Sequence, residues 1–133
     1  MTALLLDTHV LIWTLFGTRA LSKRAHDAIH RAIDAGHSLT ISAITLVELE
    51  YLTEKSRIPG HMLPRVRQIV VEGKGRLTVV PVDVAVSAAL HHVRRDLVPD
   101  MPDRIIAATA IALELPLLSA DGAIHKCDLN VIW

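Results

Sequence analysis

The sequence predicts an α/β fold, with a parallel central sheet of about five strands and helices on both of its faces. Short unbroken apolar runs recur along the chain, the pattern of strands buried on both faces rather than one. The segments between them carry helical apolar spacing and are long enough for right-handed crossovers, which makes consecutive strands parallel. A third observation bears on function. Asp7, Glu48, Asp103 and Asp121 each stand where a strand ends or a helix begins. In an open parallel sheet such positions converge on the carboxyl edge, where ligands bind.

Taken in order, Ala3 to Leu6 is the first strand, closed by Asp7-Thr8, and a helix follows from about His9 to Phe16. That helix is apolar almost all round, so it is either buried or covered by a partner. Gly17 ends it. Ser22 opens a second helix to about Ala35, striped by Ala25, Ala28, Ile29, Ala32 and Ile33, and Gly36 stops it. Leu39 to Ser42 reads as the second strand, and a helix runs from about Ala43 to Lys55. After Pro59-Gly60 another extends from about His61 to Val71, and the Gly73-Lys74-Gly75 turn leads into a third strand, Leu77 to Val82. Asp83 starts a helix ending near Arg95. Pro99 to Pro102 reads as a rigid loop before a helix from about Asp103 to Leu115. Leu117 to Ser119 and Asn130 to Trp133 supply the last two strands. With no repeat, linker or low-complexity stretch, residues 1–133 are expected to form one domain.

Composition narrows the function classes. A chain of 133 residues buries roughly two-thirds of its unfolded surface and needs no staple. The lone Cys127 cannot form an internal disulfide, which points to a reducing, cytoplasmic setting. The amino-terminal run lacks the positive lead of a secretory signal, and no apolar stretch is long enough to span a bilayer, so no membrane role is expected. Lys and Arg (14) balance Asp and Glu (14), so nucleic-acid binding would need a local basic patch. Arg19, Lys23 and Arg24, then Lys74 and Arg76, then Arg94, Arg95 and Arg104 are the candidates. Aromatics make up only 3% of the chain, which argues against a reader that works by base stacking.

Each acid has a bland explanation when taken singly. Asp7 can be an N-cap, Asp103 suits the positive end of a helix, Asp121-Gly122 is an ordinary turn pair, and Thr45-Leu-Val-Glu48 matches a capping box. Helical geometry shifts the balance for two of them. Glu48 shares its face with Ile44, Tyr51 and Leu52, and Asp103 with Ile106, Ala107 and Ala110, and no Lys or Arg lies in either row. An acid facing a core is costly unless it is paired or binds a metal. Asp83 reads as a plain cap. Asp100 could cap, orient Arg104 or join a metal shell. Four carboxylates at one edge repel one another unless a cation sits between them, and a divalent ion on oxygen ligands suits phosphodiester hydrolysis.

Leu4-Leu-Leu-Asp7-Thr8, Ser42-Ala-Ile-Thr-Leu-Val-Glu48-Leu, Asp100-Met-Pro-Asp103-Arg-Ile-Ile-Ala-Ala-Thr-Ala and Leu118-Ser119-Ala-Asp121, in that order, resemble the PIN-domain family of metal-dependent ribonucleases. The chain's size is similar to that of the VapC-type toxins of toxin–antitoxin pairs. The resemblance implies a PIN-like fold in which Asp7, Glu48 and Asp103 hold Mg2+ or Mn2+, with Asp121 as the fourth, less constant acid. All four would then be both metal ligands and catalytic residues. Thr8 and Ser119 match hydroxyl positions that support the acids. His9 departs from the pattern, since the family more often has Asn there. The resemblance further implies an endonuclease that leaves 5′-phosphate and 3′-hydroxyl ends on RNA, a homodimer, and a cognate antitoxin seated near the first and third helices. Trp13, Phe16, Leu46, Leu49 and Leu52 give those helices an apolar surplus, although plain core packing accounts for it equally well.

Other readings compete. A haloacid-dehalogenase-type phosphatase would use Asp7 as nucleophile but needs a second Asp where His9 stands. A response-regulator receiver lacks its acidic pair and its strand-end Lys. His26 with His30, or His91 with His92, could suggest a histidine metal site, but the first pair has no HExxH glutamate and adjacent histidines point apart. The non-enzymatic alternative is a catalytically silent interaction module whose acids are structural.

Overall fold

The computed structural model describes residues 3–17 and 20–133, so Arg19 of the first basic patch lies outside the described residues. Strands β1 (Leu4–Leu6), β2 (Leu39–Ser42), β3 (Leu77–Val80), β4 (Leu117–Leu118) and β5 (Val131–Ile132) form one sheet in the order β3-β2-β1-β4-β5. Every neighbouring pair is parallel, with Leu5 opposite both Thr40 and Leu117. The carboxyl ends of all the strands therefore share one edge.

The unbroken apolar run of β1 has a direct structural reason. Successive side chains leave a strand on opposite faces, and both faces are covered. Leu4 and Leu6 enter a core built with α1 (Thr8–Phe16), α2 (Lys23–Asp34) and α4 (Met62–Glu72), through Val10, Leu11, Ala28, Ile29, Leu63 and Val66. Leu5 enters the other core, with α5 (Val84–Ala89), α6 (Met101–Leu113) and α7 (Gly122–His125), through Val86, Ile106, Ala107 and Ile124. Helix α3 (Ala43–Glu54) serves both, giving Leu49 to the first and Ile44 to the second. Among the described residues, no helix is long and apolar enough to cross a membrane.

The α/β architecture agrees with the sequence, while several boundaries differ for identifiable reasons. Strand β3 stops at Val80 rather than Val82, because Pro81 has no N–H for the ladder. The helix opened by Asp83 does not run to Arg95. It gives way to a 3-10 turn at Leu90–His92, where the Arg104 guanidinium donates to the carbonyls of Leu90 and Val93, both at 3.0 Å. Helix α6 begins at Met101 with Asp100 as its N-cap and Pro102 in its first turn, a position where proline loses no hydrogen bond. Helix α7 is new, since Asp121 caps a turn of helix rather than closing a simple turn.

Arg104 is thus removed from the possible RNA contacts and becomes a brace between α6 and the segment before it. Substitution by Met leaves two half-buried carbonyls without their charged donor. Urea denaturation of Arg104→Met is expected to show a loss of about 1–3 kcal/mol.

Candidate metal centre

The acids reach one place because of where the strands stop. Asp7 directly follows β1 and is the N-cap of α1, accepting from Val10 N at 2.9 Å. Asp100 caps α6, accepting from Asp103 N at 3.2 Å, so Asp103 sits in that helix's first turn. Asp121 caps α7, accepting from Ala123 N at 2.8 Å. Glu48 comes from the middle of α3. All five acids line a cleft of about 410 Å³, together with Thr8, His9 and Trp13. Among the described residues, no Lys or Arg lines it.

Helix α3 starts at Ala43, as its apolar pattern indicates, with Ser42 as its cap. The capping-box match at Thr45 is therefore not used, which leaves the Thr45 hydroxyl inside the helix and 0% exposed. Thr45 instead meets Thr8 at 3.1 Å between hydroxyl oxygens, and Thr8 donates to Glu48 Oε1 at 2.6 Å. With its single proton committed to Glu48, the Thr8 hydroxyl can only accept from Thr45. Sequence reasoning assigned Thr8 to a supporting role but missed Thr45. The available signal was its place one turn before Leu49 on the buried face of α3. Ser119 also supports the acids, since its Oγ accepts from Asp121 N at 3.0 Å and its hydroxyl bonds the Asp7 carboxylate. His125 holds the same turn, donating from Nε2 to the Ser119 carbonyl at 2.7 Å.

The electrostatics follow from burial and crowding. Burial pushes the Asp103 carboxyl up to about 8, helped by the Asp100 charge, by a hydrogen bond to Asp121, and by the charges of Asp121 and Glu48. Asp7, only 7% exposed, is raised by burial against the opposing pull of the Ser119 hydroxyl, the Val10 N–H and His9. Glu48 is likewise raised by burial, with Thr8 and His9 working against it and Asp100 and Asp7 adding to it.

This donor set fits a hard divalent cation. Oxygens of Glu48, Asp100 and Asp103 lie within 4.8 Å of one another, and an octahedral Mg2+ with bonds of about 2.1 Å holds its ligand oxygens roughly 3–4 Å apart. Small side-chain rotations span the difference. With carboxylate oxygens and no thiolate in the cluster, Mg2+ or Mn2+ is favoured over softer ions. Asp100 belongs to the tight cluster, while Asp7 and Asp121 line the same cleft outside it.

A parallel α/β sheet with a cluster of carboxylates at its carboxyl edge, able to hold a divalent cation, defines the class of this protein. The PIN domain family model matches residues 4–129, and the chain belongs to the PIN-domain family. It is similar in fold to VapBC from Salmonella typhimurium bound to DNA, at 25% identity and TM-score 0.65 over 98% of this chain and 97% of that one. It is also similar to VapBC2 from Rickettsia felis bound to a promoter DNA fragment, at 16% identity and TM-score 0.68 over 98% and 97% of the two chains. A toxin–antitoxin complex from Klebsiella pneumoniae matches at 23% identity and TM-score 0.68, again over 98% and 97%. No curated protein matches the chain in sequence.

The raised pKa of Asp103 has a consequence for stability. The folded carboxyl keeps its proton up to about pH 8, whereas the unfolded one releases it near pH 4. Between those values the unfolded state binds fewer protons, so stability falls as pH rises. The metal-free protein is expected to lose melting temperature from pH 5 to pH 8. In thermal scans, Asp103→Asn should flatten that slope and melt above wild type at pH 8.

Proposed function

We propose that this chain, folded as one domain over residues 1–133, is a Mg2+- or Mn2+-dependent endoribonuclease and the toxin of a toxin–antitoxin pair acting in the cytoplasm. The observation that carries the reading is the convergence of Asp7, Glu48, Asp100, Asp103 and Asp121 in one cleft that, among the described residues, no Lys or Arg lines. Membership of the PIN-domain family supports it.

In this reading Asp7, Glu48, Asp103 and Asp121 hold the ion, joined by Asp100, which lies in the tight cluster with Glu48 and Asp103. Bound there, the cation supplies Lewis acidity toward the scissile phosphate and makes water a stronger acid at neutral pH. Thr8 fixes the Glu48 carboxylate, and Thr45 fixes Thr8. The His9 ring, exposed at the mouth of the cleft, takes the position where the family more often carries Asn.

Two surfaces support the partner assignments. A groove of about 690 Å³ between α1 and α4, rather than the first and third helices, is walled by Leu15, Phe16, Pro64 and Ile69 and suits an antitoxin segment, and the similar structure from Klebsiella pneumoniae is a toxin–antitoxin complex. Val47, Tyr51 and Met101 are exposed beside the cleft, an apolar patch that a homodimer would cover. Sedimentation of Tyr51→Asp, Met101→Asp protein is expected to show monomer where wild type shows dimer.

The test of the enzymatic reading is incubation of purified protein with a structured RNA pool, with and without Mn2+ or Mg2+. Metal-dependent cleavage is expected. It should fall in Asp7→Asn and Asp103→Asn by more than the roughly 10–100-fold that loss of an outer supporting partner costs. An Asp7→Asn protein that cuts as fast as wild type would overturn the proposal. Absence of both cleavage and metal binding would make the chain an interaction module instead.

A further inference from the structure

We propose that His9, Trp13 and Trp133 form a base-stacking subsite at the rim of the carboxylate cleft, which takes an unpaired nucleobase beside the scissile phosphate. This rests on the nuclease reading and adds to it the residues that would hold a base beside the acids.

The chain has two Trp, one Tyr and one Phe among its 133 residues, and both tryptophans meet here. His9 and Trp13 lie one turn apart on α1 with ring centroids 5.9 Å apart, and Trp13 and Trp133 are 5.7 Å apart. Neighbouring rings are tilted by 46° and 47°, so none is stacked flat against the next. His9 and Trp13 line the cleft alongside the acids. Trp133 arrives from the other side. It follows β5, which lies beside β4, and β4 leads to Ser119 and Asp121. Parallel topology therefore brings an aromatic from each flank to the edge that carries the carboxylates.

Core packing explains part of this. Trp13 and Trp133 both rest against the core. It does not explain why the row continues into an exposed His9, or why it borders the cleft. Electrostatics supplies a reason. A cleft lined by carboxylates, with no Lys or Arg in its wall among the described residues, repels a phosphodiester backbone. A cation bound there would hold the scissile phosphate alone, so grip on the neighbouring nucleotide must come from contacts that do not depend on charge, and stacking on a π face is the contact every base can make. The low aromatic content argued against a stacking reader, but the placement of the few aromatics reverses that argument.

The test measures tryptophan fluorescence of Asp103→Asn protein, which blocks cleavage, titrated with three ligands: a short single-stranded oligoribonucleotide, a ribose-phosphate strand of the same length without bases, and the same sequence as a duplex. The single strand is expected to quench, and the abasic strand and the duplex to bind about tenfold or more weakly. Trp13→Leu in the same background should erase that preference and Trp13→Tyr should restore most of it. If Trp13→Leu fails to fold by circular dichroism, His9→Ala and Trp133→Leu decide, each expected to shrink the preference. Equal affinity for the base-bearing and abasic strands overturns the stacking subsite. If the wild type still cuts RNA with metal in that case, the nuclease reading stands. Absence of both binding and cutting with any RNA removes both.

Discussion

Repulsion among carboxylates gathered at one edge of a parallel sheet is the constraint around which this molecule is built. Asp7, Glu48, Asp100, Asp103 and Asp121 share a cleft that, among the described residues, no Lys or Arg lines, and burial removes Asp7, Glu48 and Asp103 from much of the solvent. Nothing in the cleft's own chemistry favours this arrangement, as the raised pKa values of Asp7, Glu48 and Asp103 make plain. The fold has to impose it, through two apolar cores that fix the strands and helices from which the acids project.

The imposition works through helix starts. Asp7 and Asp121 each give Oδ1, and Asp100 gives Oδ2, to a backbone N–H at the start of a helix. A carboxylate has two oxygens, so the second stays available to the cleft. The positive ends of α1 and α6 also face the negative cluster, which lowers the cost of crowding it. Capping and a place in the site had looked like competing explanations for these residues, but in this fold one side chain caps a helix and lines the cleft. A strand that ends at the carboxyl edge must be followed by a helix that begins there, so the best capping position and the site coincide.

That coincidence sets what the sequence could reveal. The α/β class, the parallel sheet and the strand cores were legible because burial on both faces forces continuous apolar runs such as Leu4–Leu6. Glu48 and Asp103 were legible as acids on apolar helix faces. Boundaries set by tertiary contacts were not. The break after Ala89 depends on Arg104 reaching back across more than ten positions to Leu90 and Val93, and no local pattern announces it. The supporting role of Thr45 was not legible for the same reason, because the hydroxyl that it meets belongs to Thr8, 37 positions away. The basic patches were legible only as charge. Lys74 and Arg76 precede β3 and therefore sit at the amino edge, opposite the acids. Lys23 and Arg94 are held by Asp27 and Asp96.

With those cations accounted for, the charge balance at the cleft constrains how a polyanion could be held there. One divalent ion neutralises two carboxylates, and Asp103 keeps its own proton at neutral pH when the ion is absent, since its carboxyl is pushed up to about 8. An ion held by Asp103 would displace that proton and return a negative charge to the cluster, so metal affinity and proton loss would be linked. The loaded cleft still carries more carboxylate than cation. The neutral chain as a whole adds no long-range attraction for a polyanion. The contact surfaces beside the acids are the aromatic row of His9, Trp13 and Trp133 and the apolar patch of Val47, Tyr51 and Met101. The first is suited to a base and the second to another copy of the chain. A second subunit seated there would border the cleft, where its own side chains could supply the positive charge that this one lacks.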